Sequence, residues 1–129
     1  MRSLDTNILA RWILRDDAEQ SAVAAECLNQ KVYITATVLM ELGWLLQSRF
    51  GLKRDMVAAS LRDIVAMTCV EITGQQRIEW AIDRYEAGAD LADVIHVAVS
   101  VTASTFTTFD RNIVKHCGKT PPIPIETLF

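Results

Sequence analysis

Cysteine is scarce in this chain: Cys27, Cys69 and Cys117 are odd in number and far apart. They fit neither a disulfide framework nor the paired spacing of a zinc site, so free thiols in a reducing cytoplasm are expected. An uncharged apolar run of the ~18 residues that a membrane helix needs is also missing. Asp5 stands where a signal peptide would carry its apolar region, so neither an anchor nor a targeting segment is expected. There is no Gly-rich phosphate loop, no G-x-S-x-G elbow, no internal repeat and no low-complexity linker. Ser3, Ser21, Ser48, Ser60, Ser100 and Ser104 have no recognisable nucleophile context. Positive charge is in short supply as well, the formal net charge being -3. That argues against holding nucleic acid by bulk electrostatics, but not against doing so through divalent cations, which reverse the field of an acidic pocket.

What is present is a globular composition, 50% hydrophobic and 22% charged over 129 residues, which predicts a single domain over residues 1–129. A strand is expected from Met1 to Leu4, then a helix from about Asn7 to Leu14, broken by Arg15, Asp16 and Asp17. Strands usually run ~5 to 6 residues, so the native start is expected slightly upstream. Ala18 to Asn29 reads as a helix, "KVYITAT" as a strand closing at Thr35, and "TVLMELGWLLQSRFG" as a helix stopped by Gly51. "KRDMVAASLRDIVAM" puts Met56, Leu61, Ile64 and Val65 on one face of an amphipathic helix, and "CVEIT" follows as a strand. Gln75 to Ala87 predicts a helix, "ADLADVIHVAVSVTAS" a buried one, "TFTTF" a strand, "RNIVKHC" a short helix stopped by Gly118, and "IETLF" an edge strand. The order β-α-α-β-α-α-β-α-α-β-α-β implies an α/β fold with a mainly parallel sheet and helices on both faces. Sites in such sheets form beyond the carboxyl ends of strands.

Asp5 and Asp110 each leave a strand for a helix, which is also where an aspartate caps a helix. Asp93 follows Asp90 by three residues, and either could cap the apolar helix that they open. Only one acid is needed for that. Glu41 is the sole charge in "TATVLMELGWLLQS", with Thr37, Val38, Trp44 and Leu45 as its helical neighbours. A buried carboxylate so placed would need a cation, a proton or water. His96 and His116 read as ordinary helix residues, and Trp12, Trp44 and Trp80 as core or partner-facing side chains. Oxygen-ligated metal is the chemistry left.

The blocks "LDTNIL", "VLMELGWLL", "ADLADVIHVA" and "FTTFDRNI", in order and over nearly the whole chain, resemble the PIN-domain ribonucleases, in particular the VapC toxins of bacterial VapBC toxin–antitoxin pairs. The resemblance implies a three-layer PIN-like fold and an acidic pocket at the carboxyl ends of its strands. It implies Asp5 and Asp93 as the main Mg²⁺ or Mn²⁺ ligands, with Glu41 and Asp110 completing the acidic set directly or through water. Thr6, Asn7 and Thr108 match the polar residues that orient the acids, and Asp90 is a peripheral acid. Mg²⁺ takes six oxygens and keeps several waters, and when bound it lowers the pKa of an attacking water and withdraws charge from phosphate. The implied activity is endoribonuclease hydrolysis of single-stranded or looped RNA to 5′-phosphate and 3′-hydroxyl ends. Without metal, at least one clustered acid should have a raised pKa. Arg2, Arg11, Arg15, Lys53 and Arg54 are candidates for flanking phosphates. A homodimer and a cognate VapB-type antitoxin are also implied, with the helices bearing Trp12 and Trp44 as contact surfaces.

Three rivals are weighed. A haloacid-dehalogenase-type phosphatase would need a second aspartate where Asn7 stands. A signalling receiver domain would need a phosphoacceptor at a central strand end and a late strand-end lysine, which "VYITAT" and "TFTTF" do not supply. A PIN-like binding module without catalysis is the remaining alternative.

Overall fold

The computed structural model describes residues 1–129. The elements run β1 (Arg2–Ser3), α1 (Thr6–Leu14), α2 (Ala18–Cys27), β2 (Val32–Tyr33), α3 (Ala36–Ser48) and α4 (Arg54–Ala66). They continue as β3 (Val70–Glu71), α5 (Gln75–Glu86), α6 (Leu91–Ala98), β4 (Phe106–Thr108), α7 (Arg111–Cys117) and β5 (Ile125–Thr127). This is the element order expected from the sequence, and every strand pair is parallel.

The strands form two ladders rather than one hydrogen-bonded sheet. In the first, β2 lies between β1 and β3, with Arg2 opposite Val32 and Val32 opposite Val70. The Leu4 N–H donates to the Tyr33 carbonyl at 2.9 Å and the Ile34 N–H to the Glu71 carbonyl at 3.0 Å, so the pairing outlasts the strands. The second ladder is β4 with β5, Phe106 opposite Ile125. "IETLF" thus pairs over its first three residues, where the prolines before it no longer remove donors. Both Asp5 and Asp110 stand at the carboxyl end of a parallel strand.

One cluster of 30 buried residues joins the elements, with Leu9, Ile34, Leu39, Leu42, Leu61 and Ile82 fully enclosed. No helix is long and apolar enough to cross a membrane. All three cysteines are free thiols. Burial pushes the Cys117 thiol above its ordinary pKa, with the Arg84 charge opposing, which keeps it protonated and unreactive.

Two expectations need correction. The strands at Met1–Leu4, "KVYITAT" and "CVEIT" are shorter than the apolar runs that signal them, which extend to Leu4, Ile34 and Ile72, buried core residues just past the strand ends. The helix expected to run through "VSVTAS" ends at Ala98 instead. The β-branched residues Val99, Val101 and Thr102 are poor helix formers. Moreover, Arg77 Nε donates to the Ala98 carbonyl at 3.1 Å and closes the helix end. Val99 is consequently exposed.

Helices α3 and α6 approach closely at Gly43, where an added Cβ would collide with the Leu91 side chain and touch Leu61. Leu91 opens α6, so this contact sets the height of Asp93 against α3. Gly43→Val is expected to lower stability by ~1 to 3 kcal/mol through overpacking. Urea unfolding should show a lower midpoint at unchanged slope, and an unaltered midpoint would mean that the two helices are not tightly apposed.

Candidate functional site

Asp5 leaves β1 and occupies the N-cap position of α1, with φ -81° and ψ 159°. Its carboxylate nevertheless makes no capping hydrogen bond. The contrast with the other caps is informative: the side chains of Asp17, Thr35, Asp90 and Asp110 each accept a backbone N–H from their helix. Asp5 is exposed, and helix capping leaves its oxygens uncommitted.

The next residue, Thr6, is only 4% exposed. Its hydroxyl donates to Glu41 Oε1 on α3, bridging 35 positions of sequence. Glu41 itself is exposed, which corrects the expectation of a buried carboxylate on an apolar helix. Trp44, one turn on, is 63% exposed. The face carrying Glu41 and Trp44 is therefore open to solvent, and water meets the charge that burial would have left uncompensated. Helix α3 is apolar because its other faces are buried at Leu39, Leu42, Gly43 and Leu46.

Asp93 lies in the first turn of α6 and is partly buried. Its N–H donates to Asp90 Oδ1 at 3.0 Å, so Asp90 is the capping acid and leaves the Asp93 carboxylate free of that task. Burial pushes the Asp93 pKa above the ordinary carboxylate value, reinforced by the charges of Asp90 and then Asp110, while His96 and His116 oppose. The raised pKa expected of at least one acid is thus found at Asp93. Asp110 caps α7, Oδ1 accepting the Asn112 N–H at 2.9 Å, and its own N–H donates to Thr108 Oγ1 at 3.0 Å. One oxygen of Asp110 is engaged by that cap, so Asp110 serves α7 whatever else it does.

Two sets of contacts thus order the acids: Thr6 bonds Glu41 next to Asp5, and Asp93 feels the charges of Asp90 and Asp110. No three carboxylate, imidazole or thiolate side chains stand close enough to form a ready-made metal cage. The donors are carboxylates only, which suits a hard divalent ion that keeps most of its water and needs few direct protein ligands. Such a set fits Mg²⁺ or Mn²⁺ better than a metal requiring a closed protein cage.

The other candidates have different partners. Asn7 lines a cleft of about 480 Å³ with Arg11, Asp17, Gln20 and Val23, and no hydrogen bond ties it to the acids. Arg11 is paired with Asp16 at 2.5 Å. Arg54 is a structural residue that sequence alone did not reveal as one: Nη1 donates to the Tyr85 and Ala89 carbonyls, both at 2.6 Å, and its guanidinium lies 4.5 Å from the Tyr85 ring centre. Backbone carbonyls leave no side-chain signature, which is why that role was not legible. Arg2, Arg15 and Lys53 remain exposed.

The Asp93 shift has a consequence for stability. A carboxyl whose folded pKa is raised holds its proton more tightly in the folded state, so stability falls as pH rises from the ordinary carboxylate value of 3.8 through the raised one. Asp93→Asn removes that loss. The variant's melting temperature should exceed the parent's near neutral pH, and the gain should vanish in acid below the ordinary carboxylate range. A loss at neutral pH would instead mean that the positive end of α6 favours the charge more than burial opposes it.

Comparison with curated proteins finds no match. The family model described as the PIN domain matches residues 3–119, and so spans every residue of both sets. PIN domains are nuclease-type proteins that generally depend on divalent metal, in keeping with the carboxylates at strand ends, at the start of α6 and on α3. With nearly the whole chain matched and the parallel α/β architecture in place, this chain belongs to the PIN domain family.

Proposed function

We propose that the chain is a Mg²⁺- or Mn²⁺-dependent endoribonuclease and the VapC-type toxin of a toxin–antitoxin pair. The observation that carries the reading is Asp5, a helix-cap aspartate whose carboxylate caps nothing, standing beside the Thr6–Glu41 hydrogen bond. A residue needed only to start α1 would be expected to bond the helix, as the other capping side chains do.

In this reading Asp5 and Asp93 hold the metal, and Glu41 and Asp110 complete the acidic set directly or through water. The ion supplies charge withdrawal from the phosphate and a lowered pKa for the attacking water. The protein's own residues do the rest. Thr6 fixes the rotamer of Glu41, Asp90 holds the first turn of α6 so that the Asp93 carboxylate stays free, and Thr108 fixes the backbone of Asp110. The raised pKa of Asp93 acts in the same direction: a carboxyl reluctant to ionise alone gains most from a cation that neutralises Asp90 and Asp110. In-line displacement would leave 5′-phosphate and 3′-hydroxyl ends on single-stranded or looped RNA, which threads into an acidic groove more readily than stiff duplex.

A homodimer and a VapB-type antitoxin complete the proposal, with the exposed Trp44 as a contact for one or both. The assembly is proposed to work in the cytoplasm. One observation favours a second reading, a PIN-like binding module: no three ligands are gathered in advance. A single test separates the two. End-labelled cellular RNA incubated with the chain and Mg²⁺ or Mn²⁺ should give discrete fragments that disappear with EDTA and with Asp5→Asn. Intact RNA with folded, metal-bound protein would favour the binding module. Trp44→Ala should weaken self-association or antitoxin binding at least tenfold, the loss of a large aromatic contact being worth ~2 kcal/mol or more; unchanged sedimentation and antitoxin affinity would remove Trp44 from both interfaces.

A further inference from the structure

Immediately before Asp110 stands Phe109, an aromatic residue that is 70% exposed. Its ring lies parallel to that of Phe129, with centroids 5.8 Å apart and planes 5° from coplanar. That is the offset arrangement in which flat rings, bases included, stack. Arg111 holds the pair in place, Nε and Nη2 donating to the Phe129 carbonyl at 3.1 and 2.8 Å. On α7, Arg111 and Lys115 are four residues apart and share a face, and Lys119 follows the helix. All three are exposed, and none forms an ion pair with an acidic side chain. In a chain of net charge -3 this is a local basic strip, and it starts at a flat aromatic surface one residue from a strand-end acid.

Exposed aromatics interleaved with unpaired cations are how single strands are held without sequence readout: bases stack on the rings while phosphates follow the charges. A protein partner would be served by an apolar patch, but it would not call for the partnerless cations Lys115 and Lys119 leading away from an acidic centre. We infer that Phe109 is the stacking platform for a nucleobase next to the reacting phosphate, and that the RNA strand runs from there along Arg111, Lys115 and Lys119. The inference rests on the ribonuclease reading and adds to it a strand path. It places the phosphate contacts on and just after α7, whereas the sequence pointed to Arg2, Arg11, Arg15, Lys53 and Arg54. Phe129 occupies the position against Phe109 that the base would take or extend.

Binding of a fluorescent oligouridylate of about twelve nucleotides to the full chain carrying Asp5→Asn, which keeps the RNA intact, tests this. Adding Phe109→Ala should weaken single-strand binding by about tenfold, while Phe109→Trp should restore it and duplex RNA should not respond. Lys115→Ala with Lys119→Ala should reduce the slope of log affinity against log salt by about 0.7 per lysine. Circular dichroism checks the fold, which an exposed ring should not affect. Single-strand binding indifferent to Phe109 and to the lysines overturns the strand path but leaves the nuclease reading standing. Self-association lost in Phe109→Ala at unchanged RNA affinity would make the patch a face between copies and overturn it too. No single-strand binding at all, together with no cleavage by the parent chain, removes both.

Discussion

The hydrogen bond from Thr6 to Glu41 ties the junction of β1 and α1 to the middle of α3, and much else at the acidic end depends on it. Thr6 is almost wholly buried, so its hydroxyl must find an acceptor or pay the desolvation cost of an unmade bond. Glu41 is the acceptor that it finds. The pairing turns an otherwise free carboxylate toward the end of β1, where Asp5 stands. At the other acids the backbone does similar work, since Asp90 caps α6 at Asp93 and Thr108 receives the N–H of Asp110. The acids are thus ordered locally, each by its own hydrogen bonds.

Burial, and after it the charges of Asp90 and Asp110, holds the Asp93 carboxyl above the ordinary carboxylate range. A divalent cation would reverse the field that these acids create. The helices that bear these groups are positioned by contacts other than those between the acids: α3 against α6 through Gly43 and Leu91, and the start of α6 through the Arg54 bonds to Tyr85 and Ala89. Rigid apolar contacts carry the stability, which leaves the acids free to be poorly placed for the metal-free protein.

Much of this was legible in the sequence. Element order and parallel pairing followed from alternating β-rich and helical stretches, and the end of "RNIVKHC" at Gly118 follows from its left-handed backbone, φ +71°. Asp5, Asp93 and Asp110 stood out because each leaves or opens an element, and Glu41 because it is the sole charge of an apolar helix. What was not legible depends on three-dimensional exposure. Glu41 lies in an apolar helix, yet it faces solvent because Trp44 beside it does too; periodicity cannot assign an apolar residue to surface or core when a helix has few polar ones. The stop of α6 at Ala98 depends on Arg77, 21 residues away, and the role of Arg54 on the backbone carbonyls of Tyr85 in α5 and Ala89 just after it. Asp5 posed the reverse problem, since its position predicts a cap and only the structure shows that its side chain makes no such bond.

The central claim is that Asp5 and Asp93, far apart in sequence, act on one cation. Titrating Mn²⁺ into the parent, Asp5→Asn, Asp93→Asn and the double variant by calorimetry tests it as a double-mutant cycle. The account predicts that each single substitution removes most of the binding energy and that the double variant is scarcely worse than either. Independent losses that add, or Mn²⁺ binding that ignores both substitutions, would contradict it.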